Sequence, residues 1–267
     1  MHQHNKIPQS TKGDISQERE YPHSQKAAQE ATKPKRIALL AKEFLYSEFV
    51  AGKTLFDRLF ISLGIALQVV VFILHPERPI LIISGITGIF SVILCSQGKI
   101  SSFFFGFIQV ITYAIICFEE HLYGEVAINI FYFLTMIYGL FSWLKHYGKT
   151  DDSSENKLHT RHLKPIYTIL LSLFTIAASV GTALFLKYYS DDSQPWLDAF
   201  TTIPAFVGQL LMITRYREQW GLWLIVDILS IAMWFNAANY SMTALYIFWC
   251  LNCLYGYYNW RKLSADT

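Results

Sequence analysis

Charge is what this chain has least of. Asp, Glu, Lys and Arg make up 16% of its 267 residues, against 53% hydrophobic, whereas a soluble domain carries about a quarter charged side chains. That shortage excludes an ordinary soluble fold for most of the length. The formal net charge of +2 forms no basic stripe for nucleic acid, because the cations sit in short segments between apolar ones. Cysteine is sparse too: Cys95, Cys117, Cys250 and Cys253 all lie inside apolar stretches. Cys250 and Cys253 have redox or metal spacing, but with no second pair and no nearby histidine helix packing is the expected role. Neither a metal nor a cofactor is expected. The chain has no glycine-rich nucleotide loop and no H-E-x-x-H, which weighs against ATP-driven pumping and zinc hydrolysis. No apolar run follows the first residues, so no secretory signal is expected.

What is present is a duplication. Pro79–Lys145 recurs without a gap as Trp196–Lys262, at a constant offset of 117 residues. Leu122–Lys145 laid over Asn239–Lys262 keeps nine of 24 positions, among them Tyr138-Gly139/Tyr255-Gly256 and Trp143/Trp260. Each copy holds three apolar stretches, and duplicated bundles of membrane helices are the architecture of carriers.

Eight stretches are long enough for a hydrocarbon core that takes about 20 helical residues: 56–74, 79–97, 100–118, 122–144, 166–188, 196–214, 219–236 and 241–260. Residues 1–36 read as a disordered polar tail, and 37–50 as an amphipathic surface helix ahead of an extra first span ending at 74. The first repeat is 79–145, a loop and linker helix fill 146–195, and the second repeat is 196–262. With the N-terminus in the cytoplasm, 20 of 22 basic residues fall inside; without residues 1–58 the bias is still 10 to 2. The positive-inside rule therefore puts both termini in the cytoplasm. A three-helix unit reverses direction and the single linker helix restores it. The expected fold is an all-α membrane protein with a parallel 3+1+3 core, and the substrate path runs between the two units.

Trp220, Trp223 and Asp227 stand at i, i+3 and i+7, within an arc of about 60° on one helix. An Asp at this depth costs about 2.5–3.5 kcal/mol on insertion scales, so it faces the interior or water and is a functional candidate; a structural pin is the alternative. Trp220 also suits an interfacial aromatic belt. Gln109, Asn129 and Tyr132 in the first copy, and Gln209, Trp249 and Asn252 in the second, add polar or aromatic groups at membrane depth, although pairing between helices accounts for some. Gly106 stands where the second copy has Trp223, so the two halves are asymmetric.

The run from Trp220 through Trp223 to Asp227 resembles the W-x-x-W-x-x-x-N motif of PnuC-type nicotinamide riboside transporters. Gly98-Lys99-Ile100-Ser101, Phe105-Gly106 and Leu122-Tyr123-Gly124 resemble that family's first-copy signature, and the likeness covers about residues 79–262. It implies a SWEET-like homotrimer in a bacterial plasma membrane, the inner one in a Gram-negative cell. It also implies facilitated diffusion of a vitamin precursor, trapped inside by a cytoplasmic kinase. Ligand contacts carry over onto Trp220, Trp223, Asp227 and Asn129. The motif's Asn is Asp227 here and the signature's Asn is Ser102. A carboxylate accepts but does not donate, which suits a flat pyridinium cation stacked on indole. Thiamine fits the same chemistry, and riboflavin is carried by PnuC-like relatives. A membrane enzyme built on His75, Glu119, Glu120 and His121, or a receptor, is the reading from another class; those four sit at loop ends without converging.

Overall fold

The computed structural model describes residues 54–74, 79–119, 121, 123–149, 156–191, 194–236, 238 and 240–265, together with Lys42 and Tyr46. The expected tail and nearly all of the amphipathic segment lie outside these. Lys42 and Tyr46 are helical.

Eight long helices follow: α1 Leu55–Leu74, α2 Pro79–Ser96, α3 Ser101–Glu119, α4 Tyr123–Lys145, α5 Pro165–Tyr189, α6 Pro195–Ile213, α7 Gln219–Asn236 and α8 Tyr240–Ala265. Their ends fall within one residue of the expected spans, except that α8 runs on to Ala265. Long apolar runs free of glycine pairs explain most of this agreement, and prolines mark the starts: Pro79 opens α2, Pro165 opens α5 and Pro195 opens α6. Proline is favoured there because its missing N–H would be unpaired anyway. Thr54 begins α1 with a reciprocal cap, its N–H donating to Asp57 Oδ2 (2.7 Å) while Asp57 N–H donates to Thr54 Oγ1 (3.2 Å).

Six of the eight, α1 to α6, are long and apolar enough to cross a membrane. The sequence expectation of eight such spans thus meets a difference at α7 and α8. Both have the length; Gln219, Asp227 and Asn236 in α7, and Asn252, Asn259, Arg261 and Lys262 in α8, lower their mean apolarity. Gln219, Asp227 and Asn252 are buried inside the bundle, where polar atoms need not face lipid. A second difference is a small hairpin, β1 Tyr147–Lys149 antiparallel to β2 Asn156–Leu158, in the stretch between α4 and α5.

Backbone irregularities recur at the repeat offset. Gly98 (φ +67°) and Arg215 (φ +67°) end α2 and α6, and His121 (φ +60°) and Ala238 (φ +55°) follow α3 and α7. Both members of each pair stand 117 residues apart. At the first pair the hydrogen bonds match as well. Lys99 N–H donates to Leu94 O (2.9 Å) as Tyr216 N–H does to Leu211 O (2.8 Å). These are Schellman caps, which want a left-handed residue and normally use glycine. Arg215 carries that conformation at a cost, held by its Nη1 donating to His159 O (2.9 Å).

Side chains repeat the pattern. The Trp143 indole donates to Met212 O (3.1 Å) and the Trp260 indole to Cys95 O (2.9 Å). Donors and acceptors alike are related by 117, and each bond crosses from one repeat to the other. Phe103 meets Trp143 edge-on at 4.9 Å as Trp220 meets Trp260 at 5.8 Å, and the two terminal tryptophans touch at 5.5 Å. In packing, α2 lies against α8 and α4 against α6. The extra helix α1 rests on α2 and α8 through Phe60 stacked on Phe248 and Tyr255 donating to Asp57. Arg161 is stitched to the α6–α7 turn through Arg215 O and Arg217 N–H, and the Thr160 hydroxyl donates to Trp260 O (2.7 Å).

Close helix approach depends on glycine where the aromatic rings lie. A Cβ on Gly256 would sit 2.5 Å from the Trp220 indole, whereas one on Gly181 would meet nothing within 4 Å. Gly256→Ala is expected to cost about 1–3 kcal/mol by overpacking, and Gly181→Ala to be neutral or to gain up to about 1 kcal/mol. Thermal unfolding of the detergent-solubilised protein checks this, and equal midpoints for the two variants would contradict the packing described.

Candidate functional site

A cavity of about 320 Å³ opens among α2, α3, α4, α6, α7 and α8, within the range of small-ligand pockets. Three helices of each repeat supply its walls. On α3 the lining residues Ser102, Gly106 and Gln109 stand at i, i+4 and i+7; on α7 Gln219, Trp220, Trp223, Val226 and Asp227 form one face; on α8 Tyr246, Trp249 and Cys253 do so.

Seven of the nine residues expected from sequence line this cavity: Trp220, Trp223, Asp227, Gln109, Gln209, Tyr132 and Trp249. Asn129 and Asn252 do not. Asn129 is buried, but its amide donates to Glu125 O (2.8 Å) on its own helix. Asn252 stands about 60° outside the arc of Tyr246, Trp249 and Cys253, fully buried, with neither amide atom hydrogen-bonded. Helical depth was the sequence signal for both, and depth does not tell which side of a helix meets a cavity.

The two tryptophans differ in setting. Trp220 is 3% exposed, clamped between Gly256 and Trp260, and its indole N–H has no partner. Trp223 is half-buried and lies over Gly208, where a Cβ would approach its Nε1 to 3.2 Å. The repeat equivalents are exchanged in size: Gly106 faces Ser91 and Met136 in one copy, where Trp223 faces Gly208 in the other. Trp223 therefore lines the cavity from the second repeat where Gly106, packed against Met136 and Ser91, lines it from the first.

Asp227 is 7% exposed, and its Oδ2 accepts from the Cys253 thiol at 3.3 Å. Among the described residues it has no ion-pair partner. Cys253 packs in the buried core as expected and also lines the cavity beside the carboxylate. Gln209 Nε2 donates to the Thr135 hydroxyl (3.1 Å), which leaves its carbonyl oxygen for a ligand. Gln219, 1% exposed, keeps an unpartnered Nε2 at the cavity wall. Sequence reasoning passed over Gln219 and Ser91; the α7 periodicity that singled out Trp220, Trp223 and Asp227 puts Gln219 about 100° from Trp220, at the edge of the same face. Among the described residues no Lys, Arg or His lines the cavity. Among the described residues no group of three or more His, Cys, Asp or Glu could hold a metal ion.

An indole face, an unpaired carboxylate and several amides suit a flat, polar, cationic or neutral small molecule. They offer nothing to neutralise an anion. The profile of the nicotinamide mononucleotide transporter family matches residues 78–262. The nicotinamide riboside transporter PnuC of Haemophilus influenzae is 36% identical over 227 residues, covering 84% of this chain and 97% of its own length. PnuC of Neisseria mucosa is 31% identical over 241 residues, covering 86% and 90%. A more distant relative, the riboflavin/roseoflavin transporter RibM of Streptomyces davaonensis, is 25% identical over 54% of the chain. Among solved structures, that of the vitamin B3 transporter PnuC superposes with a TM-score of 0.71 at 30% identity, covering 84% of this chain and 97% of that one. By profile, relatives and fold, the chain belongs to the PnuC family of membrane transporters.

Proposed function

We propose that this protein carries nicotinamide riboside across a bacterial inner membrane, with the central cavity as its binding site. The observation that carries the reading is Trp223 beside Asp227: a π face and an unpaired buried carboxylate facing one cavity. The riboside bears a delocalised positive charge on a planar ring. Stacking on indole contributes about 0.5–2 kcal/mol, and a carboxylate adds a counterion where water is scarce. Free amide groups of Gln209 and Gln219 suit ribose hydroxyls or a carboxamide. A neutral flavin, suggested by RibM, gains nothing from Asp227, so the cation is the better match.

The repeat offset shared by caps, indole bonds and helix pairings supports a parallel 3+1+3 core. In that arrangement α2–α4 and α6–α8 are the two units, α5 is the linker and α1 stands outside the duplication. All eight helices then cross the membrane with both termini in the cytoplasm, the side favoured by the cationic loops. The assembly is a homotrimer with a path in each protomer. Without a nucleotide site the chain equilibrates its substrate, and a cytoplasmic kinase makes uptake net by adding a phosphate that the cavity has no cation to accept.

Liposomes containing only this protein are expected to equilibrate nicotinamide riboside without accumulating it. Accumulation that collapses with a protonophore or on sodium removal would contradict uncoupled transport. At the site, Trp223→Ala is expected to weaken the riboside and its neutral 1,4-dihydro form alike, because stacking area is lost whatever the charge. Asp227→Asn restores the amide of the family motif and is expected to weaken the cation alone, by about 1.5–3 kcal/mol. Titration of purified, folded variants with both ligands checks this. An unchanged preference between the two forms would make Asp227 a structural pin.

A further inference from the structure

The cavity does not account for a second unpaired carboxylate. Glu125 begins the stripe of α4 that runs Glu125, Asn129, Tyr132, Met136, Trp143, all within about 40° of one azimuth at 100° per residue. Tyr132 and Met136 on that stripe line the cavity, while Glu125 is exposed and lies roughly 10 Å further along the helix than Tyr132. It stands at the opposite end of the bundle from the caps at Gly98 and Arg215. Among the described residues it has no ion-pair partner. Its carboxylate is within electrostatic reach of the phenols of Tyr113, Tyr132 and Tyr246. Tyr132 and Tyr246 are cavity-lining residues from opposite repeats, and Tyr113 extends the cavity-facing stripe Ser102, Gly106, Gln109 of α3 by one turn. The repeat equivalent of Glu125 is Met242, so the charge enters from one side only.

We propose that Glu125 and the tyrosines around it form a capture station for the cationic ring at the outer mouth of the path. The proposal rests on the reading of the cavity as a riboside site. An exposed carboxylate over a cavity of low polarity attracts a cation before it reaches Trp223 and Asp227, and raises the rate of association more than the final affinity. The three phenols supply ring faces and hydroxyls along the descent. Glu125 is a positioning residue for substrate arrival and makes no lasting contact with bound ligand. An exposed carboxylate acting in this way is screened by salt, over a Debye length of about 8 Å at physiological ionic strength.

Stopped-flow quenching of tryptophan fluorescence in purified protein tests this, with nicotinamide riboside and its neutral 1,4-dihydro form as probes. In the wild type, the association rate of the cation is expected to fall as salt rises, and that of the neutral form to stay level. Glu125→Gln is expected to slow cation association several-fold at low salt, to flatten its salt dependence and to leave the neutral form unchanged; Glu125→Asp should keep most of the wild-type behaviour. Equal slowing for both ligands, or no slowing for either, overturns the proposal. Should Glu125→Gln fail to fold, Met242→Glu takes its place. A second carboxylate at the equivalent position is expected to speed cation capture and steepen its salt dependence, and no change overturns the proposal. A wild type that binds neither ligand would overturn the riboside reading itself, which is a different result.

Discussion

Two hydrogen bonds hold the centre of this protein together. Trp143 of the first repeat donates to the carbonyl of Met212 in the second, and Trp260 of the second donates to the carbonyl of Cys95 in the first. Both indoles are fully buried. In a bundle surrounded by lipid, apolar packing discriminates poorly between one helix arrangement and another, because lipid tails are as apolar as leucine. A directional bond from a large rigid side chain to a backbone carbonyl does discriminate. The pair fixes the register of α4 on α6 and of α8 on α2, and Phe103 and Trp220 then pack edge-on against the two rings. The cavity is the space left above that aromatic floor.

The symmetry is broken at the cavity lining. The frame is shared: caps, indole bonds and glycine contacts have counterparts 117 residues away. The lining is not shared, since Gly106, Val110 and Ser91 of the first repeat correspond to Trp223, Asp227 and Gly208 of the second. A ring entering a symmetric slot would meet two equal walls. Here the second repeat presents Trp223 and Asp227 where the first presents Gly106 and Val110.

Much of this was legible in the chain. Helix ends were readable because proline, glycine and charge punctuate the apolar runs, and the constant repeat offset anticipated the matched caps and indole bonds. Periodicity found Trp223 and Asp227, since a carboxylate in an apolar helix has few places to point. Depth alone put Asn129 and Asn252 forward, and their amides turn to a helix backbone or into packing rather than to the cavity. Cys253 packs in the core as its apolar helix suggests, but its contact with a carboxylate 3.3 Å away was not readable from the chain. The αL arginine at 215 was invisible, because a Schellman cap without glycine is recognisable only from its partner at His159.

As proposed, the cavity accepts a flat cation and has no means of holding a phosphate. Direct competition between nicotinamide riboside and nicotinamide mononucleotide on the purified protein tests it most simply. Among the described residues no Lys, Arg or His lines the cavity, so tight riboside binding is expected, with mononucleotide binding weaker by a factor on the order of 100 or more, the equivalent of about 3 kcal/mol. Mononucleotide binding as tight as that of the riboside would contradict this reading of the cavity.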